Sequence, residues 1–401
     1  MDFIKEFLFG DGIAHSIFAL AVVIAIGTLL GRIKIGGIAF GATWILFIGI
    51  VASYFGMTLN IDTLNFIRDL GLILFVFAIG LQIGPTFFAS LRQEGAVQVW
   101  LSVLAMLLSA VLAYILFVCT NIPIQTVVGV MNGSVGNTPA VGAAQQTYYD
   151  ITGVYDNSIP LGYAITFPVG MVAVIIAFIL LRAILRIDIT KEQQQSLTNT
   201  ASTVEKTDKQ IDNKNEECKK SSKPNIFTLF FGIAIGVFVG SIPLIETPQP
   251  IRLGMAAGSM FVAILIGHFG KRWNIVTNTT LSVNLMLRDI GLAMFLAAIG
   301  LASGSGFIEA VVNGGYLWLA YSIIIAIVPL LVVGIYARLR FKMNFFTIMG
   351  MLSGCMTNSV ALNYANSLSG NDIASVSYAM IYPLAVLLRV IIAQAMILMF
   401  V

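Results

Sequence analysis

The stretch Gly129-Val-Met-Asn-Gly-Ser-Val-Gly-Asn-Thr-Pro-Ala-Val-Gly-Ala-Ala-Gln145 determines how the rest of the sequence is interpreted. It returns in altered form as Gly350-Met-Leu-Ser-Gly-Cys-Met-Thr-Asn-Ser-Val-Ala-Leu-Asn-Tyr-Ala-Asn366. Both copies are apolar enough to enter a bilayer, but small and amide residues stand in the middle of each. Lipid cannot satisfy unpaired backbone groups, so each segment is expected to fold back inside protein or to line a wet cavity. Paired interrupted segments of this kind indicate the binding site of a transporter.

The composition identifies the class of protein. The 401 residues are 58% hydrophobic and 10% charged, whereas soluble proteins are about half apolar and about a quarter charged. Several apolar runs exceed the roughly 18 residues that a membrane-spanning helix needs, which predicts a polytopic membrane protein. The three cysteines are far apart and there are only two histidines. We therefore expect no disulfide framework, no metal site and no cofactor.

The same order of motifs occurs twice along the chain, which indicates an internal repeat. Ala78-Ile-Gly-Leu81 returns as Ala298-Ile-Gly-Leu301, with a polar segment between the two copies that cannot bury a core. We predict a first membrane repeat at 1–184 with a re-entrant hairpin at about 124–149, a cytoplasmic linker at 185–224, and a second repeat at 225–401 with a hairpin at about 344–368.

The basic residues predict how the chain crosses the membrane. With about five spans in each half, most Lys and Arg outside the spans fall on one face, which the positive-inside rule makes cytoplasmic. Both termini are then outside, and an odd number of spans per half makes the repeats inverted. The predicted fold is an all-α membrane protein with about ten transmembrane helices in two inverted five-span repeats, each with a re-entrant hairpin.

The hairpin tips are the predicted substrate-binding site. Two hairpins that enter from opposite faces can meet at the midplane, where helix N-termini suit a carboxylate or another anion. Side chains at the tips could bind the ligand, or could only cap their own half-helices. These residues are Asn137, Thr138, Pro139, Thr357, Asn358 and Ser359.

Arg389 is the most informative single residue, because it lies near the middle of the last apolar run with no acid nearby in the sequence. A cation at that depth costs at least about 2.5 kcal/mol, so it should face a cavity and have a partner. We expect its guanidinium to clamp a substrate carboxylate in bidentate fashion. The alternative is an arginine that binds the carbonyls freed by Pro383.

Other residues are predicted to be structural or to take part in gating. Adjacent residues point about 100° apart on a helix, so two Arg-Asp pairs are expected to lock their spans to neighbouring helices. These pairs are Arg68-Asp69 and Arg288-Asp289. Pro168 and Pro383 are further gating or structural candidates. Close helix packing is expected at Gly80, Gly84, Gly300 and Gly304.

No reaction chemistry is evident in the sequence. It has no P-loop, no dinucleotide fingerprint, no HExxH motif, no nucleophile elbow and no potassium-filter sequence. We therefore do not expect an enzyme, and no nucleic-acid partner is expected.

Together the motifs resemble those of the aspartate:alanine exchanger family of bacterial membrane transporters, which includes dicarboxylate exporters. The segments that carry the resemblance are Ala78–Pro85, Asn137–Pro139, Gly142–Gln145, Met356–Asn358, Ala361, Tyr364–Asn366, Tyr382–Pro383, Leu388–Arg389 and Ala393–Gln394. The resemblance implies a bacterial inner-membrane protein that exchanges small carboxylates or amino acids, such as aspartate for alanine or C4-dicarboxylates such as succinate. Asn358-Ser359 replaces an Asp-Pro of the family pattern, Gly136 stands where a threonine is common, and the linker is shorter than the family's insertion.

We interpret the chain as a secondary active transporter that works by alternating access. One bundle is expected to move against a fixed scaffold, in an elevator-like manner, which would favour a homodimer in the lipid bilayer. A sodium- or proton-coupled carboxylate symporter is the alternative, since midplane carbonyls could bind a cation equally well. A channel or a non-transporting receptor is the third class.

Overall fold

The structure is a computed structural model in which the regular elements of the described residues are helices and two short β-hairpins. It describes residues 10, 12–35, 38–39, 41–57, 59–92, 95–193, 226–245, 251–252, 254–270, 281–371 and 373–401. Most of the predicted linker, from 194 to 224, lies outside the described residues.

The two halves of the chain present their elements in the same order. The first half contains α1 (Ile13–Leu30), β1 (Lys34–Ile35), β2 (Ile38–Ala39), α2 (Thr43–Tyr54), α3 (Ile61–Arg92), α4 (Ala96–Cys119), α5 (Ile124–Val135), α6 (Thr138–Thr152) and α7 (Ser158–Ile184). The second half contains α8 (Ile226–Ser241), β3 (Pro243–Ile245), β4 (Ile251–Arg252), α9 (Met255–Phe269), α10 (Leu281–Ala310), a π-helical turn (Val311–Gly315), α11 (Tyr316–Phe341), α12 (Phe345–Cys355), α13 (Ser359–Ser369) and α14 (Ile373–Phe400). Within each β-hairpin the strands are antiparallel.

Seven of the described helices are long and apolar enough to cross a membrane, namely α1, α3, α4, α7, α10, α11 and α14. A helix suits lipid because it satisfies its own backbone groups. Four apolar helices, α2, α8, α9 and α12, are shorter, at 10–17 residues. The described part of the chain is thus predominantly helical, and its long apolar helices are those of a multi-pass membrane protein, as the composition predicts. The apolar runs at Ser158–Ile184 and Ile373–Phe400 coincide with α7 and α14.

The two interrupted segments break at the predicted positions. Helix α5 ends at Val135 and is capped by Gly136, whose φ of 71° lies in the left-handed region that glycine adopts without strain. Helix α6 begins directly after Asn137. In the second half α12 ends at Cys355, and α13 begins after Asn358. We call α5, residues 136–137 and α6 hairpin 1, and α12, residues 356–358 and α13 hairpin 2.

Hairpin 1 packs along α7 through glycines on α5. A Cβ added to Gly129 would lie 3.1 Å from the Ile159 Cα, and one added to Gly133 would lie 2.7 Å from the Tyr163 carbonyl oxygen. Since residue numbers rise together on both helices, α5 and α7 run parallel. The short loop at 153–157 joins α6 to the start of α7, so α6 runs back along the same length.

Hairpin 2 packs on α14 in the matching way. A Cβ added to Gly350 would lie 2.7 Å from the Ala374 Cα, and one added to Gly354 would lie 3.0 Å from the Tyr378 carbonyl oxygen. Helices α12 and α14 are therefore parallel as well. Small residues at these contacts let the backbones approach, as is common between membrane helices.

Helices α3 and α10 cross at a pair of reciprocal glycines. A Cβ on Gly71 would lie 2.8 Å from the Gly291 carbonyl oxygen, and one on Gly291 would lie 2.7 Å from that of Gly71. The backbone N–H of Phe295 faces Gly71, and that of Phe75 faces Gly291. Because the numbers run in opposite senses, the two matched helices are antiparallel where they cross.

The close packing predicted at Gly80, Gly84, Gly300 and Gly304 is confirmed. A Cβ added to Gly84 would lie 2.8 Å from the Cα of Gly267 in α9. A Cβ added to Gly300 would lie 2.9 Å from the Cα of Gly49 in α2. By their contacts the helices form two groups. The scaffold bundle contains α1–α3 and α8–α10, and the hairpin bundle contains α4–α7 and α11–α14.

Residues 189–193, at the start of the predicted linker, are helical and pack against hairpin 2. The buried Glu192 forms an ion pair with Arg338 and accepts a hydrogen bond of 2.9 Å from the Phe345 backbone N–H. Gln193 donates to the Leu368 carbonyl oxygen at 2.8 Å. This short segment therefore contacts both the beginning and the end of hairpin 2.

Candidate functional site

The tip of hairpin 1 is organised around the fully buried Asn137. Its Oδ1 accepts a hydrogen bond of 2.9 Å from the Ala140 backbone N–H and thereby caps α6. Pro139 lies in the first turn of α6, where its missing N–H removes no intrahelical bond. The Asn137 Nδ2 is buried and has no hydrogen-bond partner among the described residues. This amide therefore retains donor capacity for another group.

The tip of hairpin 2 repeats the cap but carries a strained turn. The Asn358 Oδ1 accepts from the Ala361 backbone N–H at 3.0 Å, and its Nδ2 donates to the Met171 carbonyl oxygen at 3.3 Å. The preceding Thr357 has a φ of 46°, in the left-handed region that β-branched residues rarely adopt. Outliers of this kind occur at ligand sites and switches, which makes Thr357 a functional candidate.

The two tips meet inside the helical bundle. The Thr357 hydroxyl donates a hydrogen bond of 3.1 Å to the Val135 carbonyl oxygen at the end of α5. The structure thus brings the turns at Asn137, Thr357 and Asn358 together. Thr138 instead faces α7, where its hydroxyl lies 2.8 Å from the Tyr163 hydroxyl.

A cavity of about 550 Å³ lies between the two bundles and reaches the tip of hairpin 2. The scaffold bundle contributes Gln82, Arg288 and Asp289 to its polar lining. The hairpin bundle contributes Thr357, Ser359, Tyr378 and Tyr382. Pro383, one of the gating candidates, also lines it. The volume is in the range of small-molecule sites, which are about 300–1,000 Å³.

Arg288 and Asp289 form an ion pair that opens onto this cavity. The Arg288 Nε and Nη2 donate to one oxygen, Asp289 Oδ1, at 3.0 and 2.9 Å. The two side chains are 34% and 64% exposed. The pair is joined directly on one helix, and so differs from the predicted lock between separate helices.

Arg68 and Asp69, the matching pair of the first half, are held in a closed cluster. The Arg68 Nε lies 3.3 Å from Asp69 Oδ1, and the guanidinium stacks on the Tyr155 ring at 3.2 Å from its centroid. The Tyr155 hydroxyl donates to Asp69 Oδ2 at 2.9 Å. Burial and the Asp69 carboxylate raise the pKa of Tyr155, so the phenol stays protonated as a donor. This cluster ties α3 to the loop before α7.

The cavity beside Arg68 is about 460 Å³ and is lined by Tyr149 and Gly153, at the end of α6. It is lined by none of the predicted tip residues. Of these two cavities, the one at hairpin 2 reaches a tip and the one beside Arg68 does not.

Arg389 is almost fully buried and faces the backbone of hairpin 2. Its Nε donates to the Cys355 carbonyl oxygen at 2.9 Å, and its Nη2 lies 3.4 Å from the Met356 sulfur. A cation is favourable at this position, because the C-terminal end of α12 carries a partial negative charge. Arg389 does not line the 550 Å³ cavity. It lies directly behind the Thr357 turn.

Pro168 of α7 lines an apolar pocket of about 220 Å³ beside Tyr316. Among the described residues, no group of three His, Cys, Asp or Glu side chains could hold a metal ion.

Three polar lining residues, Gln82, Tyr378 and Tyr382, were not among the sequence-predicted site residues. Tyr378 could have been found by register, since Tyr163 and Tyr378 each stand five residues before Pro168 and Pro383. Gln82 lies in a motif that the sequence analysis used only for the family resemblance.

Comparisons with known proteins agree with these observations. The family model of the aspartate–alanine exchangers, described as a predicted permease membrane region, matches residues 19–183 and 228–398. A protein of Bacteroides fragilis named an uncharacterized transporter is 32% identical, with 98% of this chain and 97% of the relative aligned. Another, from Bacteroides thetaiotaomicron, is 30% identical over 99% of this chain and 100% of the relative. No solved structure matches the chain. The chain therefore belongs to the aspartate–alanine exchanger family of membrane permeases.

Proposed function

We propose that this protein is a secondary active transporter that exchanges small carboxylates or amino acids across the bacterial inner membrane. The observation that carries the proposal is the meeting of two capped hairpin tips beside a charged cavity, through the bond between Thr357 and Val135. Helix N-termini and hydroxyls at such a junction suit a carboxylate. The substrates are aspartate and alanine, or C4-dicarboxylates such as succinate.

The topology proposed is about ten spans in two inverted repeats. The seven long helices together with α2, α8 and α9 make up this number. The antiparallel crossing of α3 and α10, whose sequences match, supports the inversion. The parallel packing of α5 on α7 and of α12 on α14 supports re-entrant hairpins over single interrupted spans, because the helix that follows a single span would run antiparallel to it.

We propose that the cavity opens to the cytoplasm in this conformation. Under the positive-inside rule, Arg186 and Arg338, at the ends of α7 and α11, face the cytoplasm, and both termini lie outside. Hairpin 2 and the first turns of α10 then lie on the cytoplasmic side. The Thr138–Tyr163 contact and the Arg68–Asp69–Tyr155 cluster lie on the opposite side, where the cavity beside Arg68 does not reach a hairpin tip.

The arrangement in two bundles supports an elevator-like movement. The cavity is lined by the scaffold bundle on one side and by the hairpin bundle on the other, so sliding one bundle past the other would carry the bound substrate. Such a movement needs a fixed scaffold, for which we propose a homodimer joined through the scaffold bundle.

For the sequence-predicted tip residues we propose two roles. Thr357 and Ser359 contact the substrate, and Asn137, Thr138, Pro139 and Asn358 shape and cap the hairpins around it. Arg389 remains a candidate clamp. Its present contacts with Cys355 and Met356 suit a residue that positions the Thr357 turn.

Counterflow in liposomes tests the function. Purified protein is reconstituted with unlabelled L-aspartate, L-alanine or succinate inside, and uptake of the labelled compound is measured with no ion gradient. Uptake that requires internal substrate supports exchange. Uptake that requires a sodium or proton gradient instead would favour the symporter, and non-saturable flux would favour a channel.

A further inference from the structure

The 550 Å³ cavity contains a charge-balanced ion pair, and this balance points to the chemistry of its ligand. Among the described residues that line it, Arg288 is the one cation and Asp289 the one anion. A dicarboxylate would bring two negative charges to a lining whose own charges cancel. A zwitterion would bring one charge of each sign, matching both partners.

We propose that Arg288 binds the α-carboxylate of the substrate and that Asp289 binds its ammonium group, so that Asp289 selects amino acids over their deaminated analogues. This assignment rests on the proposed transport function and specifies residues and selectivity at the same site. Thr357 and Ser359 provide neutral hydrogen-bonding groups on the opposite wall of the cavity.

The geometry of the pair leaves capacity for a ligand. Both contacts from Arg288 go to the same oxygen, Asp289 Oδ1. A guanidinium has five N–H donors and a carboxylate has two acceptor oxygens. The contacts of the pair therefore leave Asp289 Oδ2 to accept from an ammonium group and other Arg288 N–H groups to donate to a carboxylate.

The exposure of the pair allows a ligand to rearrange it. The side chains of Arg288 and Asp289 are 34% and 64% exposed, and solvent-exposed ion pairs contribute little to stability. A ligand whose two charges replace part of this pairing therefore loses little binding free energy by breaking it. It also removes water from the cavity, which strengthens the charge-assisted bonds that remain.

Helix α13 provides a second attraction for the carboxylate. Its first residue, Ser359, lines the same cavity as Arg288. The positive end of the helix dipole therefore lies on the hairpin side of the cavity, with the guanidinium on the scaffold side. This places the carboxylate between the two bundles and the ammonium group beside Asp289.

Asp69, the acid of the matching pair in the first half, has no such capacity. Both Asp69 oxygens are engaged, one by Arg68 and one by the Tyr155 hydroxyl. The side chains of Arg68 and Asp69 are 3% and 23% exposed. Two pairs with the same sequence thus differ in tertiary setting, and Asp69 provides a matched control.

The test compares ligands that differ only in the ammonium group, namely L-alanine with propionate and L-aspartate with succinate. Inhibition constants for each are measured against counterflow of whichever labelled compound the wild-type protein exchanges. We expect each amino acid to bind at least about tenfold more tightly than its deaminated analogue, the loss typical of one charge-assisted bond. Asp289→Asn should bring this ratio of affinities close to one, and Asp289→Glu should retain much of the preference for the amino acid.

The controls separate this inference from the transport function. Asp69→Asn should leave the amino-to-deaminated ratio unchanged, whatever its effect on rate. Arg288→Gln should weaken the binding of all four compounds. A wild-type ratio near one, or a ratio that survives in a folded Asp289→Asn protein, would overturn the inference while leaving exchange intact. Absence of counterflow by the wild type with all four compounds would instead overturn the proposed function.

Discussion

The Thr357 hydroxyl donates a 3.1 Å hydrogen bond to the Val135 carbonyl oxygen, joining hairpin tips that lie 222 residues apart in the chain. Thr357 makes this contact from a left-handed backbone conformation. Such a conformation costs of order 1–3 kcal/mol and persists only when its surroundings hold it. Arg389 supplies part of that support, since it binds the two residues that precede Thr357.

The strain at Thr357 can be separated from its hydroxyl by two substitutions. Thr357→Gly removes both the strain and the hydroxyl, and the matching position in hairpin 1 is Gly136. Thr357→Val keeps the β-branch and loses only the hydroxyl. We expect the Val variant to melt lower than the parent, by about 1 kcal/mol in stability for the lost bond. The Gly variant should melt above the Val variant, and both should bind substrate more weakly. A Gly variant that melts below the Val variant would show that the strain is unimportant.

The caps at Asn137 and Asn358 are expected to matter equally for transport. Replacing either by Ala removes a helix cap and should lower stability by about 0.5–2 kcal/mol. Each variant should remain folded and inserted but should lose most exchange activity, because both caps shape one junction. Counterflow and thermal unfolding on the same preparation measure both effects. Normal transport by Asn358→Ala beside an inactive Asn137→Ala would contradict a site shared between the hairpins.

The role of Arg389 can be assigned by measuring how its substitution changes substrate affinity and melting temperature. If it clamps the substrate, Arg389→Lys should weaken binding severely and Arg389→Ala should abolish it, by roughly 2–5 kcal/mol, with little change in melting temperature. If it positions the Thr357 turn, Arg389→Ala should lower the melting temperature first and reduce transport in proportion. A parent-like substrate affinity in Arg389→Ala would exclude the clamp.

Glu192 is expected to stabilise the base of hairpin 2. Glu192→Gln removes the charge that pairs with Arg338 in a buried setting, and the loss should be about 1–3 kcal/mol. Glu309, an exposed acid at the end of α10, provides the control. In thermal unfolding, the melting temperature should fall clearly for Glu192→Gln and hardly change for Glu309→Gln. Equal effects of the two substitutions would mean that the contact contributes nothing.

Labelling of single cysteines tests the proposed orientation. In a background with Cys119 and Cys218 replaced by Ser, Asp150→Cys should react with an impermeant maleimide from outside intact cells. Lys191→Cys should react only after the cells are opened. Both positions are exposed, whereas Cys355 is fully buried. Labelling of Lys191→Cys on intact cells would contradict the inverted topology.

The helices and their breaks could be predicted closely from the sequence, because both depend on local properties. The apolar runs of α7 and α14 coincide with helices, since long apolar segments in lipid must satisfy their own backbone groups. Asn137 and Asn358 were singled out as possible caps, and each accepts a hydrogen bond from its own helix. The close contacts at Gly84 and Gly300 follow from residue size.

The roles of the charged residues could not be predicted in the same way. Arg68-Asp69 and Arg288-Asp289 look alike in the sequence, yet both Asp69 oxygens are engaged by Arg68 and Tyr155, whereas Arg288 contacts one Asp289 oxygen beside the cavity at hairpin 2. Arg389 looked like a residue that faces the substrate, but it faces the backbone of hairpin 2. The partners of these groups lie far away in the chain, as for Tyr155 and Asp69, which are 86 residues apart, so sequence spacing carries no record of them.

The sequence by itself determined that this chain is a membrane permease with paired interrupted segments, because hydrophobic length, small residues and helix caps act within one or two turns. Only the tertiary structure decided which tip is reached by a cavity, which Arg-Asp pair is open and what Arg389 contacts. The physical reason is that the two halves share one pattern but are packed differently in one conformation. Access and ion pairing therefore depend on how the bundles meet, and no local stretch of residues specifies that.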